Sequence, residues 1–261
     1  MIVDTHAHLH FEDFENIIDG IFYNSLKSGV KKIITVGTDD ADSRSALNFA
    51  QANSKNKYGL KIYASAGIHP HEAKLGEDGL LTIKELLDNP EYSKVLVAIG
   101  ECGLDYFKNF SSKEEQIIML KWQLDLAQSY NLPVIFHIRE AWQDFYSIIK
   151  DYPKVRGVIH SFTGGEAELE KALDLKLYLG INGIVTFSKD EDQIEAVKKI
   201  PLSNLLLETD CPFLSPVPMR GKVNEPSYLT YTLDFLSKLK DVSVVNLSNA
   251  TTENAERLFG I

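Results

Sequence analysis

The sequence predicts a single (β/α)8 barrel, the α/β architecture also called a TIM barrel. Short apolar runs alternate strictly with amphipathic helical stretches, and eight such runs occur in the 261 residues. That length is close to the roughly 250 residues typical of this barrel. The runs are almost continuously apolar, as expected for parallel strands covered on both faces. An open doubly wound sheet is the structural alternative. We expect one domain over residues 1–261.

The predicted strands and helices follow one another regularly along the chain. The strands are Ile2–Thr5, Lys32–Gly37, Ile62–Gly67, Val95–Gly100, Val134–His137, Gly157–His160, Tyr178–Asn182 and Leu205–Thr209. The helical stretches between them include Phe14–Ser28, Ser43–Asn53, Lys113–Tyr130, Trp142–Lys150, Glu166–Leu175 and Glu191–Lys199. The last strand is followed by two more helical stretches, Ser227–Lys240 and Val244–Leu258.

Charge and composition exclude some classes of protein and favour others. The chain has 27 basic and 37 acidic residues, a net charge of −10, which has the wrong sign for coating duplex DNA. A metal-bearing pocket that takes in a strand end remains compatible with this charge, because bound cations reverse the local field. Two cysteines cannot make a disulfide framework. With no signal-peptide pattern and no apolar run of about 18 residues, we expect a cytoplasmic protein without a membrane span.

Histidines and carboxylates gather at the C-terminal ends of the predicted strands. Glu101 follows strand 4, and Asp210 follows strand 8. The seven histidines stand at or just after strand ends, at His6, His8, His10, His69, His71, His137 and His160. In an α/β barrel these ends converge on one mouth, where barrel enzymes place their chemistry. A single histidine there would more often be structural, but seven of them favour a shared site.

The residue types indicate a site for two divalent metal ions at this C-terminal face. His6 and His8 are two residues apart, so both rings face the same side of an extended chain. A site of imidazoles and carboxylates suits Zn²⁺, Mn²⁺, Co²⁺ or Ni²⁺ better than Mg²⁺ or Ca²⁺, which prefer ligands that are all oxygen. The pattern of residues does not identify the ion, and Zn²⁺, Mn²⁺, Mg²⁺, Co²⁺ and Ni²⁺ all stay candidates. Six candidate ligands exceed the needs of one catalytic ion. They are His6, His8, Glu101, His137, His160 and Asp210.

Seven motifs in a fixed order give the chain a resemblance to a known family. They are Val3–Leu9, Gly67–His71, Ile99–Tyr106, Leu132–Arg139, His160–Gly165, Leu207–Pro212 and Arg220–Pro226. Over essentially its whole length the chain resembles the TatD family of metal-dependent deoxyribonucleases, within the amidohydrolase-like superfamily. Two departures are small: Ser161 stands where many members have cysteine, and Cys211 where alanine is common.

The resemblance implies roles for individual residues. His6 and His8 would bind one ion and His137 and His160 the other, with Glu101 shared between them. Asp210 would complete the site as ligand and as the base that accepts a proton from a metal-activated water, so Asp210 and Glu101 are the predicted catalytic residues. His69 and Arg139 resemble positions that contact the substrate phosphate.

The predicted activity is metal-dependent hydrolysis of phosphodiester bonds, most simply by a monomeric deoxyribonuclease of exonuclease type acting on DNA strand ends. Few aromatic residues are candidates for stacking on bases, namely Tyr106, Phe162 and Phe213, so binding should involve only a few nucleotides. The resemblance also implies a phosphoesterase, because Glu101 stands where cyclic-amide hydrolases carry a carbamylated lysine.

Two other functions remain as alternatives. The enzyme could hydrolyse another ester or amide, as an aminoacyl-tRNA deacylase does. The barrel could instead hold a structural metal and bind a partner, although a structural site is usually rich in cysteine.

Two local features of the sequence also have two interpretations each. Gly164-Gly165 is either a phosphate-binding nest or a tight turn. Arg220, in the proline-rich segment Pro212–Pro226, either meets substrate or pairs with Asp210 or Glu208.

Overall fold

A computed structural model describes residues 1–108 and 110–261 and contains a sheet of eight parallel strands paired in sequence order. The strands are β1 (Ile2–Ala7), β2 (Val30–Val36), β3 (Lys61–Ala66), β4 (Leu96–Asp105), β5 (Val134–Arg139), β6 (Gly157–Ile159), β7 (Tyr178–Ile181) and β8 (Leu205–Leu207). The sheet returns on itself through a parallel bridge between Ala7 and Cys211, where His8 N donates to Cys211 O at 2.8 Å. The predicted barrel is confirmed.

Helices follow the strands and cover the outside of the barrel. They are α1 (Glu12–Glu15), α2 (Ile18–Lys27), α3 (Asp40–Ala52), α4 (Gly76–Asp88), α5 (Lys113–Tyr130), α6 (Trp142–Ile149), α7 (Glu166–Asp174), α8 (Glu191–Lys199), α9 (Leu229–Leu239) and α10 (Val244–Phe259). The longest, α5, begins at a capping box of Ser112 and Glu115 and ends at Asn131, whose φ is +53°. Among the described residues no helix is long and apolar enough to cross a membrane.

The structure differs from the sequence prediction at the bounds of several elements; β1, for example, continues past Thr5 to Ala7, so His6 lies inside this strand. The predicted helix Phe14–Ser28 is two helices, because Ile17 N donates to Phe14 O in a tight turn that ends α1. Helix α4 was not among the predicted helices, although it buries Ile83 and Leu86 in the core. Strand β4 continues past the predicted strand end at Gly100, so Glu101 lies inside this strand and not after it.

A glycine permits this extension of β4. Gly103 has a φ of +155°, and a Cβ atom there would collide with the carbonyl of His137 on β5. The absence of a side chain at Gly103 therefore lets β4 and β5 approach each other closely at the C-terminal end of the barrel. The pairing of β4 with β5 also shifts register between Ile99 and Cys102, the stretch that contains Glu101.

Apolar side chains fill the barrel interior and leave one end for chemistry. The inner cluster joins strand residues to residues of α10 that cover the N-terminal end of the barrel, namely Val3, Ile34, Val36, Val97, Ala98, Ile135, Val158, Leu206, Ala255, Leu258 and Phe259. Helix α10 is tied down there by Ser248 and Thr252, whose hydroxyls donate to Met1 O at 2.7 Å. The polar groups therefore collect at the opposite, C-terminal end.

Replacing Gly103 with alanine should lower the free energy of unfolding by about 2 kcal/mol or more, because the new Cβ meets a backbone carbonyl and φ is unfavourable for any other residue. The matched control is Gly20→Ala in α2, where a Cβ meets nothing within 4 Å; it should raise stability by about 0.5–1 kcal/mol. Urea denaturation measures both. Equal stability of Gly103→Ala and the parent would show that the strands can separate there without cost.

Candidate metal centre

The structure brings all six predicted ligands together around one carboxylate. Glu101 Oε2 lies 3.3 Å from His6 Nε2, and Glu101 Oε1 lies 2.7 Å from His137 Nδ1 and 3.7 Å from His160 Nε2. Asp210 Oδ1 lies 3.4 Å from His8 Nε2 and 3.6 Å from His6 Nε2. The two oxygens of Glu101 therefore face different histidines, as a bridging ligand must.

The buried nitrogen atoms of this cluster fit a metal ion. His6 is fully buried, and neither of its ring nitrogens has a hydrogen-bond partner among the described residues. Buried polar atoms are normally hydrogen-bonded, so unpaired ones require another partner. Donor atoms of His6, His8 and Glu101 lie within 4.8 Å of one another, as do those of His69, Glu101 and His137. Nitrogen donors with shared carboxylates suit a divalent transition metal.

Both carboxylates of the cluster are held in the anionic form. Burial alone would raise the pKa of Glu101, but His6, His160 and the hydrogen bond with His137 hold that pKa well below its usual range. Burial opposes ionisation of Asp210 too, yet the hydrogen bond with His8 and the neighbouring histidines lower its pKa. Two anionic carboxylates that face the same small space attract cations.

A second layer of groups orients the histidines. His8 Nδ1 lies 2.8 Å from the carbonyl of Val36, so Nε2 turns towards Asp210. His160 Nδ1 lies 3.0 Å from Glu208 Oε1, which also accepts a hydrogen bond from Ser161 N at 2.6 Å. Such outer partners fix the ring orientation of metal-binding histidines. Sequence reasoning did not assign Glu208 this role; its one signal was a carboxylate at the end of the apolar strand, β8.

Hydrogen bonds between Asp4 and Thr209 help to fix the position of the next residue, Asp210. The Asp4 carboxylate accepts hydrogen bonds from Thr209 N at 2.9 Å and Thr209 Oγ1 at 2.6 Å, and burial raises the pKa of Asp4 to about 7. Asp210 N donates to His6 O at 2.8 Å. Asp210 itself has a φ of +59°, a left-handed conformation that non-glycine residues adopt at some cost. These contacts hold Asp210 in that conformation beside β1.

The remaining histidines have distinct surroundings. His71 Nε2 and His137 Nε2 lie 3.0 Å and 3.2 Å from Asp105 Oδ2, while Asp105 Oδ1 accepts from two loop amides, Phe107 N and Lys108 N. His69 Nε2 lies 3.7 Å from Glu101 Oε1, and burial together with the nearby His137 lowers the pKa of His69 well below its usual range. Asp105 therefore orders its loop as well as two histidines.

Some predicted contacts lie away from the cluster. His10, one of the seven histidines near the strand ends, is not a proposed ligand, and its ring nitrogens lie 2.7 Å from Thr35 Oγ1 and 2.8 Å from Asp42 Oδ1. The Arg220 guanidinium lies 3.8 Å from the centroid of the Phe187 ring, and neither Asp210 nor Glu208 is its ion-pair partner among the described residues.

Contacts bear on two more features of the sequence, the glycine pair and the candidate stacking residues. Gly165 N donates to Glu168 Oε2 at 3.1 Å, so this amide is already satisfied, which favours a helix-capping turn over a phosphate nest. Of the three candidate stacking residues, Phe162 is buried in the core and the Tyr106 hydroxyl bonds Asp144. Phe213 is 52% exposed at the barrel mouth.

Comparison with known proteins adds independent information. A family described as TatD related DNase matches residues 3–260. The metal-dependent hydrolase YabD of Bacillus subtilis is 39% identical over the whole of both chains, and TatD of Erwinia amylovora, named a 3'-5' ssDNA/RNA exonuclease, is 34% identical over 99% of each chain. The crystal structure of the TatD homologue YJJV of Escherichia coli has a TM-score of 0.89 and 29% identity, covering all of this chain and 98% of that one.

The support that Glu208 gives to His160 can be tested by metal binding. Glu208→Gln keeps an acceptor for Ser161 N but loses the charge beside His160 Nδ1, so affinity for Zn²⁺ should fall about 10- to 100-fold. The control is Glu195→Gln, an exposed residue of α8 that should bind like the parent. Calorimetric titration measures both. Equal Zn²⁺ affinities of the two variants would show that Glu208 does not support metal binding by His160.

Proposed function

Because the chain belongs to the family of TatD-related deoxyribonucleases, we propose that it is a metal-dependent hydrolase that cleaves phosphodiester bonds at the ends of single nucleic-acid strands. The observation that carries this proposal is the position of Glu101, whose two carboxylate oxygens face separate sets of histidines. This arrangement suits two metal ions, and paired ions are common in enzymes that cleave phosphate esters.

We assign the ligands in two groups. His6, His8 and Asp210 would hold one ion with Glu101, and His137 and His160 would hold the other with the same carboxylate. The ions would supply Lewis acidity, which offsets negative charge developing on the phosphate oxygens. All six side chains come from one chain, so a monomer suffices to build the site.

Asp210 is the proposed base. It lines both cavities at the barrel mouth, so its carboxylate is open to a water molecule as well as to His8. The hydrogen bond with His8 and the other histidines lower the pKa of Asp210 despite its burial, so the carboxylate is a weak base, which suffices if bound metal ions lower the pKa of the attacking water. Its left-handed backbone and its hydrogen bond to His6 O fix where that proton is taken up.

His69 and Arg139 are the proposed contacts to the phosphate. His69 lines the cavity beside Glu101, and Arg139 lines the cavity on the other side of His137. A guanidinium can donate two parallel hydrogen bonds to phosphate oxygens, and an imidazole N–H can donate one. Donors that point at developing negative charge stabilise the transition state for hydrolysis.

A relative's name, the net charge and one exposed aromatic ring support the proposed substrate class. One relative is named a 3'-5' ssDNA/RNA exonuclease, and the net charge of −10 argues against extended contact with a duplex. The exposed Phe213 ring offers a stacking surface for a base. A few nucleotides at a strand end are therefore the proposed substrate.

Asp210→Asn should reduce hydrolysis of single-stranded DNA by about 10²-fold or more while the protein folds and still binds metal, because the amide cannot accept the proton. Asp241→Asn is the matched control, since Asp241 is exposed and also has a left-handed backbone, with φ of +51° against +59° for Asp210. The measurement is the rate of single-stranded DNA hydrolysis by the parent and both variants at saturating Mn²⁺ or Mg²⁺, with the metal content of each protein determined.

The same assay tests the wider proposal. Chelation should abolish hydrolysis, and added divalent metal should restore it. Asp210→Asn within threefold of the parent would refute Asp210 as the base, and a parent that hydrolyses an aminoacyl ester but not DNA would refute the phosphodiesterase assignment.

A further inference from the structure

Two cavities meet at the metal-binding cluster, and their chemistry differs. One has a volume of 430 Å³ and is lined by Thr38, Asp39, His69 and Glu72; we call it the acidic cavity. The other has a volume of 560 Å³ and is lined by Arg139, Ser161 and Thr163; we call it the basic cavity. Both are also lined by the residues at their junction, His137, His160, Asp210 and Phe213. A phosphodiester at this junction would have one nucleoside on each side.

The acidic cavity is unfavourable for a phosphate. It borders the N-terminus of α3, where backbone amides would ordinarily attract an anion. Asp39 instead caps this helix by accepting a hydrogen bond from Asp42 N at 2.7 Å, and no cation pairs with Asp39 among the described residues. Glu72 adds a second carboxylate, whose ion-pair partner within residues 1–108 and 110–261 is Lys74, itself half exposed. Negative charge therefore lines the place where another phosphate would have to lie.

The acidic cavity nevertheless offers contacts to an uncharged sugar or base. His69, the proposed donor to the scissile phosphate, stands where this cavity meets the metal ligands: its Nε2 lies 3.7 Å from Glu101 Oε1, and its Nδ1 accepts a hydrogen bond from His71 N at 3.1 Å. The Phe11 ring lines the same cavity and stacks on His8 with the ring centroids 4.8 Å apart. An aromatic face suits the base of a neutral nucleoside.

The basic cavity opens towards positive charge. Arg139 is exposed at the end of β5, with its guanidinium 3.8 Å from the centroid of the Phe107 ring. Lys108 Nζ lies 5.3 Å from the same ring. The hydroxyls of Ser161 and Thr163 add hydrogen-bond donors at the cavity wall. Successive phosphates of a strand would find cations on this side.

We infer that the two cavities distinguish the end of a strand from its interior: the terminal nucleoside, with its free hydroxyl, occupies the acidic cavity, and the phosphate-bearing remainder leaves across the basic cavity. The inference rests on the proposed function and explains why that activity starts at an end. An internal site would place a second phosphate beside Asp39 and Glu72. The carboxylate of Asp39 accepts a hydrogen bond from the terminal hydroxyl, and it repels a terminal phosphate.

The test compares two single-stranded DNA oligonucleotides that differ only at the 3' end, one with a hydroxyl and one with a phosphate. The metal-loaded parent should prefer the hydroxyl end by about tenfold or more in kcat/KM, since like charges placed together oppose binding. Asp39→Asn keeps the helix cap but removes the charge, and it should reduce this preference about threefold or more. Glu72→Gln should reduce it as well, by a smaller factor.

The matched control is Asp40→Asn, which makes the same change of charge at the next residue. Asp40 does not line the acidic cavity, so this variant should prefer the 3'-hydroxyl end by the same factor as the parent. Added salt should weaken the preference of the parent more than that of Asp39→Asn, because salt screens charge repulsion.

Equal cleavage of both ends by the parent would overturn the inference while leaving the proposed nuclease activity intact. Equal changes in Asp39→Asn and Asp40→Asn would overturn it also. A metal-loaded parent that cleaves neither oligonucleotide would refute the proposed function and the inference together.

Discussion

An ionised carboxylate buried at the barrel mouth is the constraint on which the rest of the site depends. Glu101 is 4% exposed, and an unpaired charge at such burial would be very costly. Histidine nitrogens surround it, and those of His6 have no hydrogen-bond partner among the described residues. Divalent cations would satisfy both needs at once, because they would neutralise the carboxylate and accept the lone pair of the nitrogen that each histidine directs towards it, such as Nε2 of His6. A metal-free mouth would leave His6 Nε2 buried beside Glu101 without a partner for its lone pair.

The contacts that close the barrel are the same contacts that build the site. The junction of β8 with β1 is made by Asp210 N donating to His6 O and by Thr209 donating to Asp4. Both Asp210 and His6 are proposed ligands, so their separation is set by the pairing of the first and last strands. The strand-closing hydrogen bonds thus supply the preorganisation that hydrolysis of a phosphodiester needs.

Sequence reasoning succeeded where periodicity and strand ends carry the information. Apolar runs located all eight strands, and the topology of the barrel then gathered distant residues such as His6 and His160. It did not find the role of Glu208 beside His160, or the stacking of Arg220 on Phe187, because each depends on side-chain packing between segments far apart in the chain. The charge difference between the two cavities was not predicted either, because the predicted helix began at Ser43, and Asp39, which caps α3, received no role.

The central claim is that one carboxylate, Glu101, joins two metal ions. The most direct measurement is anomalous X-ray scattering from crystals of the protein loaded with Mn²⁺. We predict two anomalous peaks roughly 3.5–4 Å apart, with Glu101 Oε2 and His6 on one and Glu101 Oε1 and His137 on the other. A single peak at saturating metal, or a second peak that does not contact Glu101, would contradict it.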